Sequence, residues 1–162
     1  MAVSTDMMRT WRGPRRVMRG LLAMGPREDR AIAYLMAGCF LVFIAQWPRL
    51  ARTAYLEGEE MSRLVAYEFM AWLIVWPLVF YFIAFLLHLV TRIAGQGSAP
   101  WEVRLALFWA FLAAAPAGLL YGLLNGFVGP EPGTRLVGAI WLGAIALFVV
   151  QGIRESGTAD GD

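Results

Sequence analysis

The sequence predicts an all-α fold: a polytopic membrane helical bundle of four transmembrane helices, preceded by an N-terminal amphipathic interfacial helix. Three observations lead there. Four apolar runs, Ala31 to Trp47, Leu64 to Val90, Leu105 to Val128 and Leu136 to Ile153, occupy most of a chain that is 59% hydrophobic. Each meets or approaches the ~20 residues that a helix needs to cross a bilayer. Nearly every charge falls between the runs, and a backbone in hydrocarbon must satisfy its own hydrogen bonds, which runs of this composition do as helices. The layout divides into a cytoplasmic amphipathic arm (1–25), a four-helix transmembrane bundle (26–153) and a disordered cytoplasmic tail (154–162). Connections this short leave room for one domain.

In the arm, Val17, Met18, Leu21 and Leu22 recur at helical spacing from Pro14 to Met24, while Arg15, Arg16 and Arg19 take the other side. This is the pattern of an amphipathic helix. Met7, Met8 and Trp11 continue the apolar side upstream, with Gly13 and Pro14 breaking the helix between them. Such a helix is expected to lie on the membrane surface, with Trp11 at the interface and Arg12, Arg15, Arg16 and Arg19 on anionic headgroups. Each arginine contributes about 1 kcal/mol near such a surface. The competing arrangement is a cap packed on the cytoplasmic end of the bundle. Leu21 to Met24 are too few apolar residues for a secretory signal, so no cleavage is expected; the Arg-rich, acid-poor composition also resembles a transit peptide, the competing address in a eukaryotic source.

Pro26 occupies a favoured first-turn position ahead of the first span, where Glu28 and Asp29 complement the positive end of the helix dipole. Cys39, the only cysteine, lies within that span. It excludes an internal disulfide or a multi-cysteine metal site and is expected simply to pack. The connection from Pro48 to Ser62 mixes Leu50, Tyr55 and Leu56 with Arg52, Glu57, Glu59 and Glu60 and is expected to lie along the outer face as a lid.

Ionisable residues within a span are the default functional candidates, and the second run holds two, Glu68 and His88. Their separation along one helix, roughly 30 Å at 1.5 Å per residue, puts them at opposite interfaces, so they cannot share a site. Glu68 lies one turn inside the non-cytoplasmic boundary, within reach of Arg49, Arg52 or Gln46. His88 lies one turn before Arg92. Each reads as an interfacial residue with a satisfied polar tip rather than as a proton relay. Pro77 and Pro116 fall mid-run, where a missing N–H tends to kink the helix.

The third run carries the sharpest pattern in the chain, with Ala114, Gly118, Gly122 and Gly126 at four-residue steps. Small residues at that spacing let helix backbones approach closely, which in a membrane replaces the hydrophobic drive that lipid cannot supply. Ala139 and Gly143 in the fourth run offer a matching surface, and the short turn Gly129-Pro130-Glu131-Pro132-Gly133 makes the two helices antiparallel neighbours. The stripe is expected to serve that internal contact, a dimer seam being its other possible use. Trp47, Trp72, Trp76, Trp101, Trp109 and Trp141 mark run ends and helix faces as anchors or packing groups, and Asn125 is placed for a helix-to-helix hydrogen bond.

Ten arginines fall on the side of the termini, in the arm, the second connection and the tail, against four on the other side. The positive-inside bias thus predicts a multi-pass protein of the cell inner membrane with both termini cytoplasmic. All 14 basic residues are arginine and none is lysine, a composition that points to a GC-rich, bacterial source. The sequence has no Ser-His-Asp set, HExxH motif, paired intramembrane aspartates or phosphate-cradling glycine loop, and a lone histidine cannot form a bis-histidine haem site within one chain. No enzyme activity, cofactor or metal is therefore expected. The expected partners are membrane lipids and a membrane protein or second copy of the chain, not nucleic acid.

The stretch Trp11-Arg12-Gly13-Pro14-Arg15-Arg16-Val17-Met18, running on to Leu21-Leu22, then Arg27-Glu28-Asp29-Arg30 and a set of closely spaced spans, resembles the short bacterial members of the Yip (Ypt/Rab-interacting protein) family. The resemblance covers nearly the whole chain and rests on layout. It implies a non-enzymatic membrane protein that organises membranes or binds a partner. The family's acidic-aromatic Gly-Pro element is represented here only by Gly13-Pro14, and its usual five spans by four, so GTPase binding carries over to no residue. A membrane-organising or partner-binding bundle is the leading expectation. The alternatives are an accessory subunit of a larger membrane complex and a small transporter built around the kinked helices, for which midplane charges are lacking.

Overall fold

Each apolar run folds as helix. A computed structural model describes residues 3–159 and places helices in the order α1 (Val3–Thr10), α2 (Pro14–Leu22), α3 (Glu28–Ala45), α4 (Trp47–Glu57), α5 (Met61–Met70), α6 (Trp76–Ile93), α7 (Pro100–Phe127) and α8 (Pro132–Ala159). The protein is 86% helical, with no strand among the described residues, so the all-α class holds. Four stretches are long and apolar enough to cross a membrane: Glu28–Glu57, Met61–Ile93, Pro100–Phe127 and Pro132–Ser156. The chain is thus a multi-pass membrane protein built as a helical bundle.

Helix α7 is the axis of the bundle and packs against α3, α4, α6, α8 and α1. It starts at Pro100, and the carboxylate of Glu102 accepts a hydrogen bond from the Ala99 N–H at 2.8 Å, filling one of the orphan donors of the first turn. Helix α8 runs antiparallel to it, since positions 106, 118 and 121 meet positions 152, 141 and 138. Helices α3 and α4 run parallel to it, with Gly38 against Phe111, Ala45 against Gly122 and Pro48 against Gly126. One end of the bundle, here the proximal end, carries the arm and the end of α8 and is tied by the Glu28–Arg104 ion pair. The distal end carries the turns at Gly58 and Gly129, both glycines in the left-handed region (φ 68° and 96°).

The glycine stripe of α7 is used, but not as expected. Gly118 faces α8, where an added β-carbon would lie 2.7 Å from the Trp141 ring, whereas at Gly122 and Gly126 it would run into the backbone of Ala45 and Pro48. Two of the three glycines therefore admit the α3–α4 joint. Ala139 and Gly143 are exposed and do not form the matching surface on α8. The packing face there is Gly138, Trp141, Phe148 and Gly152; residues one or two positions off that 3.6-residue period rotate out to the lipid side.

Two other expectations change, and the second span shows a feature the sequence did not predict. The Pro48 to Ser62 connection is not a lid lying across the outer face: most of it is helix α4, which continues the first span and packs along the distal part of α7. There Arg52 reaches the carbonyls of Gly126 and Phe127, both at 3.4 Å, a cation at a helix C-terminus. In the second span, the helix approaches Pro77 through a π-helical turn, Ala71–Val75, with Trp76 N–H donating to the Ala71 carbonyl five residues back. The tail is not disordered over 154–159, because α8 continues to Ala159; residues 160–162 lie outside the described part. Glu155 and Ser156 are buried, and Ser156 Oγ lies 2.9 Å from Ser98 Oγ.

Gly122→Ala is expected to destabilise the bundle by about 2 kcal/mol or more, as overpacking against rigid backbone does, whereas Gly143→Ala, which meets nothing within 4 Å, should leave thermal unfolding in detergent unchanged.

Candidate functional site: a basic cavity beneath the N-terminal arm

The arm folds as two short helices around a break. Pro14 starts α2, Gly13 precedes it in an extended conformation, and Gly25 (φ 76°) turns the chain into α3. The arm packs its apolar side on the bundle, the capping arrangement weighed against a free surface helix, while Trp11, Arg12, Arg15, Arg16 and Arg19 stay exposed. Met18 and Leu21 are 2% and 3% exposed, and α2 lies along α8. The Trp11 indole donates a hydrogen bond to the Ala113 carbonyl at 2.9 Å and sets its ring edge-on to Phe148. Thr10, 1% exposed, accepts a hydrogen bond from the Trp109 indole at 3.1 Å and donates to the Asp6 carbonyl at 2.8 Å. Arg19 pairs with Glu155 of α8 at 2.5 Å.

The physical reason lies in α7. Val103 and every residue from Leu105 to Ala115 are buried, several full turns with no side facing out, and α3, α6 and α8 alone leave one flank to be covered by α1. Trp109 needs an acceptor away from water, which Thr10 supplies. Pro116, lacking an N–H, removes the donor to the Leu112 carbonyl, and the Trp11 indole brings a new donor to the neighbouring carbonyl.

Between arm and bundle lies a cavity of about 1190 Å³. Its lining includes Arg9, Arg12, Arg15, Arg16, Arg19 and Arg30, with the rings of Tyr34 and Trp109 and a single carboxylate, Asp6. Arg9 pairs with Asp6 at 3.5 Å and Arg19 with Glu155. Arg30 donates to the Leu21 carbonyl at 3.3 Å and contacts Met24 sulfur at 2.9 Å, while its Nε is buried without a partner. Arg12, Arg15 and Arg16 make no hydrogen bond or ion pair among the described residues. The arginines of the arm thus line a shared concavity while remaining exposed.

The two ionisable residues of the second span stay apart, at its opposite ends. Glu68 pairs with Arg49, which also donates to Gln46 Oε1 at 2.9 Å, so the distal boundary carries a three-residue network. His88 keeps its Nδ1 buried without a hydrogen-bond partner, and its carbonyl accepts from Thr91. Asn125 finds no side-chain hydrogen bond among the described residues. Among those residues, no three His, Cys, Asp or Glu side chains gather as a metal site.

Sequence reasoning missed Thr10, Arg9, Arg30, Tyr34 and Glu155 as members of this site. The one available signal was the tail's Glu155, an acid beside an otherwise apolar helix and opposite an arginine-rich arm. Compared with protein-family models, curated proteins and solved structures, the chain matches none of them.

Trp11→Phe should remove the hydrogen bond to Ala113 while keeping the ring contact, costing about 1 kcal/mol and raising the rate at which a protease cuts the arm. Glu68→Gln should leave Arg49 without its carboxylate and lower the unfolding temperature in detergent, by the equivalent of about 1–2 kcal/mol; Glu68→Ala combined with Arg49→Ala should be milder than the single change if the pair acts as a unit.

Proposed function

We propose that this is a non-catalytic integral membrane protein that organises anionic lipid or holds a membrane partner through its bundle and its basic arm, as the resemblance to the Yip family suggests. The observation that carries the reading is the arm itself, packed on the bundle so that its five arginines gather with Arg30 of α3 at the proximal end. The positive-inside bias supports an inner-membrane location with that end, and so both termini, in the cytoplasm. Arginines held there face the anionic leaflet surface, whose attraction falls off within a Debye length.

A second reading, an accessory subunit of a larger membrane complex, draws support from the second span. Only 11% of its most apolar window is buried, and Trp76, Phe82 and Phe85 face outward as a surface on which a partner helix could pack.

Extraction of the protein from its native membrane with a disc-forming polymer tests both. A co-isolated lipid pool enriched in anionic lipid supports the first reading, and a stoichiometric companion chain the second. A lipid pool matching the bulk membrane, with no companion, would overturn the proposal.

A further inference from the structure

We infer that the cavity between the arm and the bundle binds a phosphate group carrying two negative charges, presented by a lipid headgroup or by a soluble phosphate ester. The inference rests on the proposed function only in drawing the ligand from the bilayer; the charge imbalance that motivates it stands alone.

That imbalance is specific. Among the described residues Asp6 is the only carboxylate lining the cavity, and it pairs with Arg9, while Glu155 and Glu28 pair with Arg19 and Arg104. Arg12, Arg15 and Arg16 have no anionic partner among the described residues, and Arg30 adds a buried Nε whose N–H has no partner among them. Arginine forks match phosphate oxygens in bidentate geometry, and charge-assisted hydrogen bonds of this kind are the strong ones. A doubly charged phosphate group offers enough acceptor oxygens for several forks at once.

Depth favours the lipid source. Trp11, next in the chain to Arg12, is bonded at Ala113, nine residues along α7 from Arg104, which pairs with Glu28 at the proximal end, or about 13 Å at 1.5 Å per residue. Guanidinium groups beside the apolar body of a span draw phosphate and water toward themselves. Tyr34 and Trp109 give the recess a partly apolar wall, beside which an acyl chain can pass into the bilayer. The cavity volume of about 1190 Å³ exceeds what a headgroup fills, which leaves room for hydration of its outer part.

The test titrates full-length protein in a non-ionic detergent with dioctanoyl phosphatidic acid, dioctanoyl phosphatidylcholine and inorganic pyrophosphate, following tryptophan fluorescence. Phosphatidic acid should bind saturably at one site and phosphatidylcholine should not. Arg16→Gln alone should weaken binding about fivefold, and the triple change Arg12→Gln, Arg15→Gln and Arg16→Gln on the order of 100-fold, at roughly one surface-arginine contribution each. Arg135→Gln, at the distal end, should change nothing. Pyrophosphate that competes with the same arginine dependence identifies a soluble phosphate ester as the source; pyrophosphate that fails to compete identifies the lipid. Absence of saturable binding by either phosphate probe, equal binding of phosphatidylcholine, or an Arg16→Gln and triple variant that both bind as the wild type does would overturn the inference. Arginine-dependent binding without anionic enrichment in the native lipid pool would sink the proposed function and leave the cavity standing; the reverse pattern would do the opposite.

Discussion

Helices inside a bilayer gain nothing from hiding apolar surface from one another, because lipid is as apolar as they are; they associate where backbones can come close enough for dense packing. Helix α7 is where this chain meets that requirement. Its small residues, from the alanines at 113–115 through Gly118, Gly122 and Gly126, let α8 approach on one side and the α3–α4 joint on another. The other helices are arranged by their access to it. The second span touches α7, α3 and, beside the distal turn, α4, and leaves most of its aromatic and aliphatic surface to lipid.

Closing the proximal half of α7 is what makes the arm part of the fold. With the other three spans in place, the Trp109 indole would face lipid on one flank with an N–H that hydrocarbon cannot satisfy. Thr10 accepts it, the Trp11 indole finds its own acceptor at the Ala113 carbonyl, and Met18 and Leu21 fill the groove along α8. Polar contacts elsewhere follow the same economy of position. Glu28–Arg104 and Arg19–Glu155 tie the proximal end, Gln46, Arg49 and Glu68 the distal end, and the helix surfaces between remain apolar.

Docking the arm has an electrostatic consequence. A surface-lying amphipathic helix would spread its arginines along a plane of headgroups, each screened by water and salt. Folded back on the bundle, the same side chains converge on one recess that has a single carboxylate of its own. The packing that covers α7 thereby creates a concentrated positive site, so a structural requirement and a candidate binding function share the same twenty residues.

The spans, their order and the polar positions within them were legible from the chain, because length, hydropathy and the placement of charge are local properties that a bilayer imposes directly. The pairing of Glu68 with Arg49 was also within reach, since the first connection limits what lies near it. Periodicity identified the faces of α2 and α7 without identifying what covers them. That Gly122 and Gly126 receive the α3–α4 joint, that Ala139 and Gly143 face away, that residues 154–159 extend α8 and that the arm turns inward all depend on the register between helices distant in sequence. Such registers are set by which side chains interlock, Gly118 with Trp141 or Trp11 with Ala113, and that fit exists only once the helices are assembled.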